Sequence, residues 1–373
     1  MKKKLIIIIG LFLVLISAII ASFKYSQYKN IKEWKSSALT SPKANSLSPA
    51  GHILVEFKKA KDISGVKKYE IYIDDKKVCD VDKNKNSSEI YLTKTKGYKI
   101  KIVAITDKEK IESNCNTIYV NKKGLCMNKE MAWNVEADKW GASWYYNWSF
   151  SKHNYVSFRD LEFVPMIWSK FDTDSDNITL CKELGYRHIL AYNEPDAVDQ
   201  SDIPVDDAVE GMKDFQNKGL YVGLPATALM PEWSKDWFKP FMKKIEANNL
   251  KYDFIPVHHY WNWYDDEGAE AFLKMIDNTY NMYHKPIWVT EFAISGVPRK
   301  DGDPRREEVV IRYMKKVIEG LEKRDYVERY AWFSFPVSNE RNSASAMLNT
   351  YTGKITDLGK QYIKIGMPKG YKY

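Results

Sequence analysis

The sequence predicts an α/β chain whose larger part is a (β/α)8 TIM barrel, preceded by a small all-β sandwich and an N-terminal transmembrane helix. Three observations predict it. From Lys122 to Tyr373, 252 residues (373 minus 121), apolar runs of strand length alternate with amphipathic helix patterns, and about 250 residues is the usual size of such a barrel. Between residues 51 and 121 the hydrophobic period drops to two, with short strands and turn residues. Ahead of both, nineteen residues without a charge, Leu5 to Phe23, are about long enough to cross a bilayer as a helix.

The N-terminal element is read as a signal-anchor over residues 1–23. Lys2, Lys3 and Lys4 precede the apolar run, so they stay cytoplasmic and the chain after Lys24 lies outside, anchored in the cell membrane. Ile19-Ile20-Ala21 is a poor cleavage site, which favours retention over secretion after cleavage. Residues 24–50 carry Ser36-Ser37, Ser41-Pro42 and Ser48-Pro49 and read as a polar tether. In residues 51–121, Ile53–Phe57, Lys68–Ile73, Ser87–Leu92 and Tyr98–Ala104 read as strands, with Asp74-Asp75-Lys76-Lys77 as a hairpin turn.

Residues 122–373 hold eight strand candidates: 124–126, 142–146, 163–168, 189–192, 221–224, 254–257, 287–289 and 330–333. Helix patterns fall between them at 205–217, 237–248, 268–283 and 306–323. On this count Glu194 ends the fourth strand and Glu291 the seventh. The side of a barrel at the C-terminal strand ends is where function concentrates.

Composition narrows the class. The net charge of +8 comes from scattered lysines, whereas a nucleic-acid binder clusters its charge on one face or arm; no nucleic-acid partner is expected. Eleven of the twelve tryptophans follow residue 122. Aromatic faces stack on apolar sugar faces, and their polar tips bond hydroxyls. Cys126 and Cys181 read as small buried hydrophobes, while a disulfide between Cys79 and Cys115 stays open.

Two carboxylates facing each other across a rim are the minimum set for cleaving a glycosidic bond with retention. Glu194, beside a second carboxylate and partly buried, suits the acid that protonates the leaving oxygen. Asn193 suits a bond to the sugar hydroxyl next to the anomeric carbon. Glu291 suits the nucleophile, with Tyr260 on the neighbouring strand as a donor to it. Trp144, Trp148, Trp168 and Trp261 stand at other strand ends, Asn147 is beside one of them, and Trp332 is placed to floor the subsite at the cleaved bond. By alternation, Trp288 has the opposite parity to Glu291 and is expected to face the helices as core. His258 and His259 point opposite ways on one strand, so a shared metal is not expected, and His258 reads as a polar lining residue. Asp172-Thr173-Asp174-Ser175-Asp176 faintly echoes a calcium loop but has Asn177 where that loop needs Gly; helix capping is the expected role.

The stretches KKGLCMN, SWYYNW, EFVPMIW, HILAYNEPD, GLPA, DFIPVHHYW, PIWVTEFA, AWFSF and TGKITDLGKQY, in that order, resemble glycoside hydrolase family 128, a glycosyl hydrolase catalytic core of clan A. The stretches YEIYIDDKKV and YKIKIVAIT resemble fibronectin type III repeats. The first resemblance implies Glu194 as acid/base, Glu291 as nucleophile, net retention, no cofactor and endo-β-1,3-glucanase activity on a β-glucan. The residues leave two alternatives open: a non-catalytic polysaccharide-binding surface protein, and a hydrolase or transglycosylase acting on a β-1,4-glucan or another envelope polysaccharide. It further implies that His258 and Tyr260 are the clan's sixth-strand pair and Trp332 its eighth-strand tryptophan. A monomer is expected.

Overall fold

The computed structural model of the chain describes residues 2–60, 63–127, 137–152, 161–172, 175–298, 304–349 and 351–372. They form two compact units: Met1–Ser46 with His52–Tyr91 and Gly97–Ile118, and Leu47–Gly51 with Leu92–Lys96 and Tyr119–Tyr373.

The first unit opens with α1 (Lys2–Ser37), which over Ile9–Ser37 is long and apolar enough to cross a membrane. A signal sequence has the same features. The helix does not stop at Phe23, because no proline interrupts it before Pro42. Residues 24–50 are therefore no tether. Trp34 is buried and its indole N–H donates to the Lys58 carbonyl at 2.8 Å. Beyond it, β1 (Leu39–Ser41) pairs antiparallel with β3 (Gly51–Phe57), Leu39 opposite Phe57. An apolar anchor and a strand pairing outweigh the polar composition. Between them, β2 (Leu47–Pro49) pairs with Tyr119–Asn121 in the second unit.

The strands β4 (Val66–Ile73), β5 (Lys76–Asp82), β6 (Ser87–Leu92), β7 (Lys96–Thr106), β8 (Lys110–Glu112) and β9 (Asn116–Asn121) follow. One sheet runs β1-β3-β6; another runs β9-β7-β4-β5, with β8 on β7. In β3, Ile53, Val55 and Phe57 are buried while the residues between them face outward, as half-covered strands require. Asp74 and Asp75 have φ of 47° and 62°, the left-handed pair that a two-residue hairpin demands. All four cysteines are free, so Cys79 and Cys115 form no disulfide.

The second unit is a mixed α/β fold. It contains β10 (Gly124–Cys126), β11 (Trp144–Tyr146), β12 (Glu162–Phe163), α2 (Ser175–Glu183), β13 (His188–Leu190), α3 (Val205–Gly211) and β14 (Tyr221–Gly223). After these come α4 (Phe238–Ala247), β15 (Ile255–Trp261), α5 (Asp266–Tyr283), β16 (Ile287–Ile294), α6 (Pro304–Glu322) and β17 (Val327–Trp332). Two short strands, β18 (Leu348–Asn349) and β19 (Lys354–Ile355), precede α7 (Asp357–Lys364). Strands β10-β11-β12, β13-β14 and β15-β16-β17 pair in parallel. Single parallel bridges add Lys123 to Tyr330, Met166 to Leu190 and Gly223 to Phe254. All eight expected strands are present, the first with the expected limits and the other seven with shifted ones. The third is shorter because Pro165 withholds a donor.

Among the described residues of the second unit, two groups of buried apolar residues stand out. A small one, including Cys126, Trp144, Tyr146, Val164, Leu190, Phe254, Trp288 and Ala331, comes from strands and the residues beside them. A larger one joins the other strand faces to the helices, for example Val257, Val289, Phe292 and Trp332 with Phe241, Phe272 and Met314. Helix ends are sealed from below by buried lysines. Lys122 Nζ donates to the carbonyls of Leu321, Glu322 and Arg324, and Lys123 Nζ to those of Tyr362, Ile363 and Ile365. These are carbonyls that a helix terminus leaves without partners.

Candidate active site

Every residue of β16 is buried, the pattern of a strand covered on both faces. Strict alternation would put Trp288 and Glu291 on opposite faces. The structure departs from that expectation. Val257 pairs with Val289 but His258 with Glu291, so Thr290 is one residue too many on β16. A bulge of this kind resets the parity, and Trp288 comes to share a face with Glu291. Trp288 is core, but within the strand-derived cluster rather than against the helices, stacked on Phe254 at 3.8 Å between ring centroids. The strand also continues to Ile294, so Glu291 lies inside it rather than at its end.

Three donors converge on the Glu291 carboxylate. Tyr146 O–H donates to Oε1 at 2.7 Å, Trp148 Nε1–H to the same oxygen at 2.8 Å, and Tyr260 O–H to Oε2. Burial pushes both hydroxyls well above the usual tyrosine range, helped by Cys126 and Glu291 at Tyr146 and by Glu291 at Tyr260. They therefore stay protonated and serve as donors to an acceptor-only carboxylate.

Glu194 is held by its backbone. Asn193 N–H donates to the Trp168 carbonyl at 3.0 Å and Glu194 N–H to that of Ala226 at 2.7 Å. Glu194 has φ of 44° and Trp148 of 54°. Such left-handed positions cost about 1–3 kcal/mol each in non-glycine residues and gather at functional sites. Buried His258 stands between the two glutamates. Its Nδ1 is 2.9 Å from Glu194 Oε1, and its Nε2 is 3.4 Å from Glu291 Oε1, an ion-pair distance without hydrogen-bond alignment. Burial alone would lower the His258 pKa, but Glu291 and Glu194 together outweigh it and raise it above the ordinary value.

A cleft of about 500 Å³ opens over this group, lined by Trp148, Trp168, Asn193, Glu194, Gln200, Tyr260, Glu291, Phe333 and Phe335. Of the expected residues, the structure thus brings Trp148, Trp168, Asn193, Glu194, Tyr260 and Glu291 to one cleft, with His258 between the two glutamates. Asn193 Nδ2 donates to Gln200 at 3.1 Å, while its buried Oδ1 has no partner among the described residues.

Four expected residues stand elsewhere. Trp332 is fully buried with the helices, its indole N–H on the Ser345 carbonyl at 3.0 Å; Phe333, of opposite parity, takes the cleft position. Trp144 is sealed in the strand-derived cluster and donates to the Lys122 carbonyl at 3.0 Å. Asn147 builds the turn that carries Trp148, donating to Ser151 O at 3.0 Å and accepting from Ser149 N–H at 3.2 Å. Trp261 packs with Trp233 and Trp263, outside the set lining the cleft.

Tyr146, Gln200, Phe333 and Phe335 were not legible as site residues. Parity offered a signal for Phe333 alone, one step beyond Trp332. Thr173 and Asp174 of the acidic run lie outside the described residues. Asp172 accepts from the Ser169 backbone N–H at 3.2 Å and from its hydroxyl at 3.1 Å.

One donor atom each from Glu194, His258 and Glu291 lies within 4.8 Å of the others, a set with the composition of a metal site. The atoms are already engaged. Both Glu291 oxygens accept from Tyr146, Trp148 and Tyr260, and His258 Nδ1 pairs with Glu194. A cation there would displace those contacts, so the group suits proton handling better than ligation.

A family model described as glycosyl hydrolase catalytic core matches residues 124–362. No curated relative matches the chain. Among solved structures, a family GH128 subgroup I endo-β-1,3-glucanase from Amycolatopsis mediterranei, in complex with laminaritriose, is 27% identical. The match covers 65% of this chain and 99% of that one, at a TM-score of 0.58. Two other complexes of that enzyme, with laminarin oligosaccharides, carry a substituted glutamate each, and the two glutamates are 97 positions apart. A GH128 subgroup III curdlan-specific exo-β-1,3-glucanase from Blastomyces gilchristii, in complex with glucose, is 25% identical over 65% of this chain and 98% of that one, at 0.52. A subgroup VI exo-β-1,3-glucanase from Aureobasidium namibiae is 17% identical over 68% and 98%, at 0.53, a likeness of fold alone.

Proposed function

The chain belongs to the glycosyl hydrolase catalytic core family, and from that premise we propose that it hydrolyses β-1,3-glucan internally and with net retention. The observation that carries the reading is the pair of glutamates: a carboxylate oxygen of each within 4.8 Å of the other, in one cleft. Retaining enzymes keep their carboxyl groups about 5–5.5 Å apart, inverting ones about 6.5–9.5 Å. The separation of 97 positions (291 minus 194) equals that of the two glutamates substituted in the Amycolatopsis enzyme. The endo mode follows that relative.

Glu291, oriented by Tyr146, Trp148 and Tyr260, attacks the anomeric carbon while Glu194 protonates the departing oxygen. A glycosyl ester on Glu291 results. Glu194, now ionised, takes a proton from water, and the hydroxide equivalent releases the sugar with its configuration retained. His258 holds the Glu194 carboxyl in place through both halves. Asn193 bonds the hydroxyl next to the anomeric carbon, and Trp148, Trp168 and Phe333 supply faces for sugar rings.

The same reading closes the strands into a (β/α)8 ring. The parallel pairs and bridges link β10 through β17 and return from Tyr330 to Lys123, and the small apolar group is the filling such a ring requires. The β unit is read as a fibronectin type III-like spacer and α1 as an anchor with its lysines inside.

The test uses the full chain in detergent with laminarin, a β-1,4-glucan and a mixed-linkage glucan. Oligosaccharides of several lengths from laminarin alone are expected. Release of glucose only would overturn the endo mode, and products only from the β-1,4 polymer would overturn the substrate.

A further inference from the structure

One aromatic cluster in the second unit is used by nothing in this mechanism. Trp233, Trp261 and Trp263 adjoin, with ring centroids 5.5 Å apart for each successive pair. Their seat is firm. Buried His259 lies 4.7 Å from Trp261 and stacks on Phe272 of α5 at 4.4 Å, with 12° between the planes. Asp265, two residues after Trp263, caps α5 through Gly268 N–H at 2.8 Å. A Cβ on Gly268 would lie 2.1 Å from the Trp263 carbonyl oxygen, so that loop is pressed onto the helix start. Yet Trp233 is 45% and Trp263 39% exposed. Large aromatic faces fixed from below and bare on top are the feature of a recognition surface rather than of core packing.

The cluster neighbours the cleft residues along the chain. Trp261 follows Tyr260, which bonds Glu291, on the same strand. The loop bearing Trp233 is braced by Asp196, two residues after Glu194: its carboxylate accepts from Ala228 N–H at 2.7 Å and Ser234 O–H at 3.1 Å. Glu232, Asp265, Asp266 and Glu267 flank the tryptophans in sequence, which disfavours a polyanion and suits an uncharged chain. We propose that Trp233, Trp261 and Trp263 form a stacking platform for a neutral glucan running out of the cleft, a site that holds the polymer and does not cleave it. Indole faces stack on the apolar faces of pyranose rings.

This rests on the glucan-hydrolase reading, and the experiment separates the two. The full chain carrying Glu291→Gln is sedimented with insoluble β-1,3-glucan, with and without Trp233→Ala and Trp263→Ala together. The alanine pair is expected to raise Kd about tenfold, the loss of roughly one stacked ring, and Trp233→Tyr with Trp263→Tyr to restore most of it. In the active chain the alanine pair raises KM on long laminarin about as much, with kcat and the cleavage of laminaritriose unchanged. Binding and KM equal to the parent would overturn the platform, as would tyrosines that bind no better than alanines, or a parent that holds no glucan. Weakened binding by the alanine pair alongside an active-site-intact chain that cleaves no β-1,3-glucan would uphold the platform and overturn the hydrolase reading instead.

Discussion

In the C-terminal halves of β15 and β16 and just after β13, Glu194, His258 and Glu291 crowd two carboxylates around one imidazole, at the wall of an open cleft. Near the opposite ends, Arg329 Nη2 donates to Glu162 at 2.8 Å, and His188 Nδ1 lies 2.6 Å from the same carboxylate. The Arg329 guanidinium is buried and sits 4.0 Å over the Trp288 ring. Burial alone would raise the Glu162 pKa, yet Arg329 and His188 hold it well below the ordinary carboxylate range; burial lowers that of His188. The two groups use the same residue chemistry to different ends. A carboxylate held by a buried guanidinium and a buried imidazole fastens strands together. At the cleft, two carboxylates stand near each other beside one imidazole, with left-handed backbone at Glu194, an arrangement that gathers at functional sites. Trp288 lies under Arg329 and shares a face of β16 with Glu291.

If this contrast is real, substitutions at the two ends separate activity from stability. The largest effect is on turnover: Glu291→Gln should cost at least about 10⁴-fold in kcat, on the scale of other lost nucleophiles, with the melting temperature nearly unchanged. Next comes stability. Arg329→Met leaves the Glu162 charge without its partner and should cost about 3–5 kcal/mol in denaturant unfolding, while the folded enzyme keeps its kcat. A wild-type melting curve for Arg329→Met would remove the stabilising half of the contrast. A smaller effect tests the donors: Tyr146→Phe removes one charge-assisted bond to Glu291, worth about 1.5–3 kcal/mol, and should lower kcat/KM by about 10–100-fold in steady-state kinetics.

The smallest effect is the pH dependence, and its sign differs between the ends. Glu162, held low when folded, contributes stability that is complete above the ordinary carboxylate value and lost as pH falls through the folded one. His258, held high when folded, contributes stability that is complete below 6.5 and lost as pH rises through its folded value. Melting curves across pH should therefore show the penalty of Arg329→Met shrinking in acid, and that of His258→Gln shrinking above neutrality.

That Glu194 and Glu291 share one cleft was legible because each follows an unmistakably apolar run in the sequence, and parallel strands carry such positions to one side. Trp332 was misplaced by taking a strand end as a cleft position without following parity one residue further to Phe333. Trp288 was misoriented because a bulge at Thr290 is a pairing fact: it depends on which residues of β15 lie opposite, and nothing in Ile287–Ile294 announces it. Tyr146 reaches Glu291 from a strand 145 positions away, a contact that only the tertiary fold creates. The expected tether failed for a similar reason, since Trp34 and Leu39 find partners in Lys58 and Phe57 that local composition does not display. Cutting the chain at residue 45 would remove β1, so the full chain is the right material for every measurement.

The most direct test of the catalytic pair is the configuration of the sugar as it is released. Proton NMR on the full chain acting on laminarin, followed from the first minutes, should show the β-anomer appearing first and mutarotating to the equilibrium mixture. The α-anomer appearing first would mean direct attack by water, and would contradict Glu291 as the nucleophile.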